Sequence, residues 1–314
     1  PLTTNLGRRF GGVGMMIERP GLRVQVRAAA SWSATGPLAE RALRFGRRFA
    51  QWTQQEEGDC ELPPRHLLIE NAAPEHAGLG TGTQLGLAVA RALAVSWSLE
   101  CDVTTLARRV GRGLRSALGA HGFEQGGLLV ESGKNSAERL APLVARLSFP
   151  EPWRVVLVLP AGDESKSSLH GAREVEAFAQ LAARPAAPDR TDILCRLVLL
   201  GLLPALVERD LDAFGEALYE FNVRVGEAFA PVQGGVYASA RVAELTAFLR
   251  GEGVHGVGQS SWGPTVFAVV ADDDHASRLA ARLRKHFALE ETAVLVTPAC
   301  NHGALLESFG ERPA

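Results

Sequence analysis

The sequence predicts an α+β protein of two domains. Three observations carry that reading. The chain has 314 residues, about twice the ~150 of an ordinary domain. Strand and helix patterns mix without the strict alternation of a doubly wound sheet. The punctuation Phe149-Pro150-Glu151-Pro152 and the polar run 162–168 divide the pattern in two. The expected domains are residues 1–160 and 161–314.

The elements follow from apolar spacing. Leu22 to Arg27 alternates apolar and charged residues, as a half-buried strand does. Residues 38–52 have helical spacing, and Arg65 to Asn71 reads as a strand. Thr83 to Trp97 is apolar nearly all round, so a buried helix is expected. Leu106 to Leu118 reads as a basic helix and 126–131 as a short strand. Trp153 to Pro160 is a continuous apolar strand. Helices are expected near 172–183, 191–208 and 210–230, and Val242, Leu245 and Leu249 keep helical period. Strand 266–270, a helix through Leu279, Leu283 and Phe287, and strand 293–296 complete the chain. Asp272-Asp273-Asp274 reads as a solvated turn and helix cap rather than a metal site.

Composition narrows the function. Apolar residues make up 46% and charged residues 22%, which excludes a disordered chain. The net charge of −2 argues against a nucleic-acid partner. The longest apolar run, 197–207, falls short of the roughly 20 residues that span a bilayer. No secretory leader is visible, so no membrane and a cytoplasmic location are expected. Cys60, Cys101, Cys195 and Cys300 are too scattered for a zinc site and read as buried thiols. Basic residues are 30 Arg and 3 Lys, which limits lysine chemistry to Lys134, Lys166 and Lys285.

Two glycine-rich loops stand out. The first spans residues 74–84 between a strand and the buried helix. Gly78, Gly80 and Gly82 let backbone approach an anion, and Thr81 and Thr83 offer hydroxyls. Free amides and the positive end of the helix dipole suit a phosphate or pyrophosphate. The loop has neither the lysine of a Walker A motif nor the GxGxxG spacing of a Rossmann turn. A plain connector is the alternative. The second loop, 256–265, joins a helix to a strand. Trp262 inside it is either a stacking face for an aromatic ligand or a ring packed on its own domain.

Together the loops resemble the GHMP superfamily of small-molecule kinases. Pro74, Gly78, Leu79, Gly80 and Thr81 match its PxxxGLGSSAA motif, and 256–265 its third, glycine-rich motif. The variants GLGTGTQ (78–84) and GQSSWGPT (258–265) resemble a non-kinase branch, the beta-ribofuranosylaminobenzene 5'-phosphate synthases. LGRRFGGVG (6–14), FEQGGL (123–128), QGGVY (233–237) and Asn301-His302-Gly303-Ala304 agree. The family opens on a strand with an Arg-Leu-His-Phe-Gly-like segment, so residues are expected ahead of Pro1. Arg115 and Ser116 match an Arg-Ser-Gly-Ile-Gly-like stretch, with Ala117 in place of the first glycine.

The resemblance implies a two-domain GHMP-kinase-like fold with the ligand cleft between the domains. It implies a homodimer that condenses phosphoribosyl pyrophosphate with 4-aminobenzoate or a related small aromatic acid. Carbon dioxide and pyrophosphate leave, with Mg²⁺ as cofactor, in methanopterin biosynthesis. Arg115, Ser116 and Gln259 are the candidate catalytic residues. Arg8, Arg9, His76, Gly78, Gly80, Thr81, Gly82, Thr83, Gln84, Ser260, Ser261, Trp262 and Gly263 are the candidate substrate contacts. Arginine suits the bidentate grip of phosphate and carboxylate, though a solvated surface role competes for Arg8 and Arg9. His76 either touches pyrophosphate or orients its loop, and His302 is a further candidate. Thr81 and Glu75 are the metal candidates, with Glu124 and Glu131 beside them. The alternative reading is an ATP-dependent GHMP kinase. Against it, residues 113–127 hold no Asp, and their one acid is Glu124. A non-catalytic sensor of a phosphorylated metabolite is the third reading.

Overall fold

Among the described residues, alternating and continuous apolar runs fold into three sheets. The computed structural model describes residues 7–58, 62–136, 139–159, 176, 179–180 and 188–308. Strand β1 (Gly12–Met15) pairs antiparallel with β5 (Leu128–Glu131), which pairs antiparallel with β6 (Leu143–Leu147). Strand β2 (Arg23–Ala28) lies antiparallel to β4 (Arg65–Asn71), and β3 (Ser33–Thr35) runs parallel to β4. The third sheet has the order β10 (Val294–Thr297), β7 (Arg154–Val158), β9 (Val266–Val270), β8 (Gly256–Gln259). Strand β7, which precedes residue 160, thus hydrogen-bonds within the later sheet.

Helices cover these sheets. In the N-terminal half they are α1 (Ala39–Glu57), α2 (Thr81–Ser96), α3 (Val103–Arg109) and α4 (Leu118–Gln125). In the C-terminal half, α5 (Pro188–Leu197) runs through a π-turn at Val198–Leu202 into α6 (Leu203–Glu208). Helices α7 (Leu211–Gln233), α8 (Ala240–Gly251) and α9 (Asp273–Phe287) follow. Asp272 caps α9, its carboxylate accepting the His275 amide at 2.7 Å. Among the described residues no helix is long and apolar enough to cross a membrane.

Each half has its own core, and a third core joins them. Phe45, Phe49, Leu67, Leu85, Leu93 and Leu106 fill the first. Val156, Leu245, Leu249, Val257, Leu279 and Leu283 fill the second. The joining core stacks Phe149, Trp153 and Phe214, with centroids 5.4 to 5.7 Å apart, against β1, β5 and β6. A C-terminal strap crosses the same junction. The Cys300 amide donates to Met16 O at 2.8 Å, the Gly127 amide to Cys300 O and the Ala304 amide to Phe123 O, each at 2.7 Å. The Asn301 side chain bonds both the amide and the carbonyl of Phe149, at 2.8 and 2.9 Å. Side chains at Gly126 and Gly303 would collide with this strap and its seat. Two stretches of the resemblance, FEQGGL and Asn301 to Ala304, therefore interlock.

Several expectations change. The helix expected over 106–118 stops at Arg109. Gly111 and Gly113 take φ of +68° and +73°, which no right-handed helix allows, and the chain resumes as α4 at Leu118. The second glycine-rich loop does not simply join a helix to a strand. Its first half is itself strand β8, so the loop is the turn of the β8–β9 hairpin. The short strands β1, β3 and β6 and helix α4 were not expected. Helix α2 is not buried all round, since Val95 is exposed. Cys195 is exposed, and Cys101 and Cys300 are half-buried. Cys60, Lys166, the polar run 162–168 and most of the helix expected near 172–183 lie outside the described residues.

Arg109 anchors the first core electrostatically. It is buried beneath Phe49, and its guanidinium meets Glu57 at 2.6 Å, Thr53 Oγ1 at 3.0 Å and Glu56 at 3.1 Å. The hydrogen bond from Arg108 holds the Glu56 carboxyl below its ordinary range, with Arg109 assisting and burial opposing. A lowered carboxylate contributes stability above its unfolded pKa and loses it as pH falls through the folded one. Glu56→Gln should lower stability at pH 7 by about 1–2 kcal/mol, between the values of exposed and buried pairs. In urea denaturation the gap from wild type should begin to narrow below about pH 4, near the ordinary Glu pKa, and close as pH falls through the lower folded one.

Candidate functional site

The two glycine-rich loops meet. After β4 the chain turns at residues 74–80 and enters α2 through Gly80, whose φ of +68° serves as the N-cap. Gly78 takes φ +79°, and a Cβ there would collide with the Ser260 carbonyl. Ser260 Oγ donates to Gly78 O at 2.8 Å, so a hydrogen bond clasps the two halves. The β8–β9 turn is held by Ser260 N to Thr265 O at 2.9 Å and Gly263 N to Ser260 O at 2.8 Å.

Most loop side chains brace the loops. Thr81 Oγ1 donates to Pro74 O at 2.9 Å, closing the first loop upon itself. Gln84 Nε2 donates to Gly119 O at 2.8 Å, and Thr83 packs beside Gly119, so both hold the start of α4. Gln259 is buried. Its Oε1 accepts the Ala238 amide at 2.7 Å, its Nε2 donates to Ser261 O at 3.0 Å, and Asn222 bonds its backbone on both sides. This arrangement makes Gln259 a residue that holds the turn. Trp262 is 7% exposed, with its ring centroid 4.4 Å from Phe229. It packs on its own domain, and little of the ring faces the cleft. His76 and Ser261 are exposed at the cleft mouth, with φ of 62° and 54°.

The expected arginines gather at the far end of β5. Arg8 is half-buried, and its Nη1 donates to Gly133 O at 3.0 Å. Arg9 is exposed, and its backbone bridges Lys134. Arg115 is half-buried and Ser116 exposed, with Ser116 Oγ accepting the Leu118 amide at 3.2 Å. Their 111–117 loop is tied to the same place, for the Ala117 amide donates to Glu131 Oε2 at 2.6 Å.

Two arginines were missed from sequence. Arg41, on α1, and Arg112 stand beside the first turn of α2, so close that a side chain at Gly82 would meet both guanidiniums. Both lie over the Phe45 ring, at 5.8 and 4.9 Å from its centroid. Arg41 looked like one of many arginines on an amphipathic helix, and no motif marked it. Arg112 opens the stretch that holds Arg115, which was the one available signal. Amides at a helix N-terminus with two adjacent guanidiniums can bind a phosphate or pyrophosphate.

The expected metal ligands sit in different surroundings. The Glu75 carboxylate is ion-paired with Arg41, and Thr81 donates its hydroxyl proton to Pro74 O, which leaves its oxygen lone pairs open. Burial pushes the Glu131 carboxyl up, against the pull of Ser116 and the Ala117 amide. Glu124 is exposed at the end of α4 opposite Gly119, where the strap crosses. Among the described residues no group of three or more His, Cys, Asp or Glu is placed to hold a metal. The cleft measures 2670 Å³ and its walls include both loops, Arg41, Arg112 and Arg115. That exceeds the ~300–1,000 Å³ of a single small-molecule site.

Comparison with known proteins bears on this geometry. The GHMP kinases N terminal domain family matches residues 39–126, and the GHMP kinases C terminal family matches 202–289. The chain is 31% identical to the beta-ribofuranosylphenol 5'-phosphate synthase of Archaeoglobus fulgidus, covering 98% of this chain and 95% of that one. It is 30% identical to the enzyme of the same name from Methanothermobacter thermautotrophicus, over 96% and 92% of the two chains. The solved mevalonate pyrophosphate decarboxylase of Streptococcus pyogenes shares the fold, with a TM-score of 0.65 at 13% identity over 96% and 93% of the chains.

The loop contact makes a steric prediction. Gly78→Ala combines a left-handed φ with a collision against Ser260, so it should destabilise by about 1–3 kcal/mol and open the clasp. Ser260→Ala removes only the hydrogen bond and should cost about 1 kcal/mol. Thermal denaturation of the two variants checks the order. Equal effects would mean that the loops do not touch in solution.

Proposed function

The chain belongs to the GHMP kinase family and, within it, to the beta-ribofuranosylphenol 5'-phosphate synthases, and we propose from this that it joins a ribofuranosyl phosphate to an aromatic ring with loss of carbon dioxide. Phosphoribosyl pyrophosphate supplies the sugar. The ring comes from 4-aminobenzoate or its 4-hydroxy counterpart, an aromatic acid with an electron donor opposite the carboxylate. The resemblance points to the amine, and the name of the relatives to the phenol. The reading includes a place in methanopterin biosynthesis, a cytoplasmic location and a homodimer.

The observation that carries this reading is the pair Arg41 and Arg112 at the first turn of α2, on a loop clasped by Ser260. In the reaction, the bond from the anomeric carbon to pyrophosphate breaks and positive charge grows on the sugar. The ring carbon bearing the carboxylate bonds to that carbon. The carboxylate then leaves as carbon dioxide, and its bonding pair restores the aromatic ring. The donor across the ring pushes density onto the attacking carbon. No protein nucleophile is required. The protein's part is to hold both anions and stabilise the leaving pyrophosphate through loop amides and guanidiniums, the electrostatic contribution that is usually largest. Arg115 at the cleft wall supplies further positive charge. Mg²⁺, the usual ion of this superfamily, would neutralise charge on the leaving pyrophosphate.

Phosphoryl transfer to an alcohol favours a carboxylate at the acceptor hydroxyl. Residues 113–127, where the resemblance to the kinases would place an Asp, hold Glu124 as their only acid, and the kinase reading is the weaker one.

Purified protein with phosphoribosyl pyrophosphate, Mg²⁺ and either benzoate should give carbon dioxide, pyrophosphate and the ribosylated ring phosphate in equal amounts, without ATP. Mass spectrometry reads the product and also ranks the two acids. ADP formation with a panel of alcohols, and no ribosylated ring, would sink the proposal. Arg112→Ala should raise KM for phosphoribosyl pyrophosphate by about tenfold or more, the worth of one charged hydrogen bond, and leave KM for the benzoate nearly unchanged.

A further inference from the structure

Two segments that carry arginines converge on one short stretch, residues 131–134. Strand β5 ends at Glu131, and Lys134 bridges to the backbone of Arg9. Arg8 reaches Gly133. The 111–117 loop, with Arg112 and Arg115, is tied here twice. The Ala117 amide donates to Glu131 Oε2 at 2.6 Å, and Lys134 Nζ donates to Gly113 O at 3.4 Å. Glu131 is 2% exposed and Lys134 8%.

Both ties fill a local need. Ala117 is the N-cap of α4, and its methyl group accepts no hydrogen bond. Glu131 supplies the acceptor from the neighbouring strand, where a carboxylate also faces the positive end of the helix dipole. Between Arg109 and Leu118 the loop contains no regular element, and Gly111 and Gly113 give it wide conformational freedom. Such a loop keeps its course only through ties to rigid neighbours. A buried carboxylate is costly without partners, so its retention here calls for a role.

We propose that Glu131 is a positioning residue that fixes the 111–117 loop so that Arg112 and Arg115 meet the pyrophosphate-bearing substrate, with Lys134 as the second tie. This assignment rests on the synthase reading above for the identity of the anion.

The test compares wild type, Glu131→Ala, Glu131→Gln and Lys134→Met. Inorganic pyrophosphate is the probe for calorimetry, and brief trypsin digestion mapped by mass spectrometry reads the loop. Glu131→Ala should weaken pyrophosphate binding about tenfold or more, as displaced binding groups do. It should raise KM for phosphoribosyl pyrophosphate and spare KM for the benzoate. Glu131→Gln, whose amide oxygen still accepts the Ala117 N–H, should stay within about threefold of wild type. Trypsin should cut after Arg112 and Arg115 faster in Glu131→Ala and Lys134→Met, but not in Glu131→Gln. Pyrophosphate binding and cleavage unchanged in Glu131→Ala would overturn the proposal. If Glu131→Ala fails to fold, unchanged cleavage and binding in Lys134→Met would overturn it equally. The synthase reading fails separately, on a wild type that makes no ribosylated ring, and the trypsin comparison stands without it.

Discussion

The hydrogen bond from Ser260 Oγ to Gly78 O, 2.8 Å long, sets where the two halves of the cleft stand. A hydrogen bond of this kind is worth about 1 kcal/mol net. That is too little to hold two domains together. The aromatic cluster of Phe149, Trp153 and Phe214 and the strap at 299–304 do the holding. The clasp instead sets register: it brings the first turn of α2 and the β8–β9 turn to one point. Each side is braced from behind, by Thr81 on Pro74 and by Gln259 and Asn222 within the hairpin. Gly78 is required because the partner carbonyl occupies the space of a side chain.

That geometry creates an electrostatic problem. Arg41 and Arg112 stand side by side at the positive end of a helix dipole, with Arg115 on the same short loop. The chain as a whole carries a net charge of −2, so the positive character is local. Two carboxylates temper it. Glu75 pairs with Arg41, and Glu131 anchors the 111–117 loop. The Phe45 ring lies beneath both guanidiniums and offers its negative face, a cation–π contact of about 0.5–2 kcal/mol. This local positive charge is what suits the site to the pyrophosphate-bearing substrate proposed for it.

How much of this was legible in sequence depends on length scale. Strand β4 was readable residue for residue because alternation and flanking prolines agree locally. The first loop's anion chemistry was readable because glycine spacing before an apolar helix is a local signal. The roles of Thr81, Gln84 and Gln259 were not. Each looked like a ligand donor, and each bonds to a backbone group that only the fold brings near. Strands β1 and β8, GVGM and GVGQ, were hidden by their glycines, which sequence rules assign to turns. Helix 106–118 failed because apolar period extends across Gly111 and Gly113, where left-handed φ breaks the ladder. Arg41 carried no signal, since its importance is set by a neighbour 41 residues away, Gly82.

The distribution of charge also bears on the kind of chemistry the cleft favours. Joining a ring carbon to a sugar with loss of carbon dioxide moves electrons but demands no proton from the protein. It calls for fixed positive charge at a leaving pyrophosphate, and the cleft concentrates fixed positive charge. Phosphoryl transfer to an alcohol calls for an acid or base at the acceptor. Glu75 and Glu131 are committed to an arginine and to a backbone amide. Within a fold shared with kinases, these two carboxylates thus organise cations and the loop that carries them.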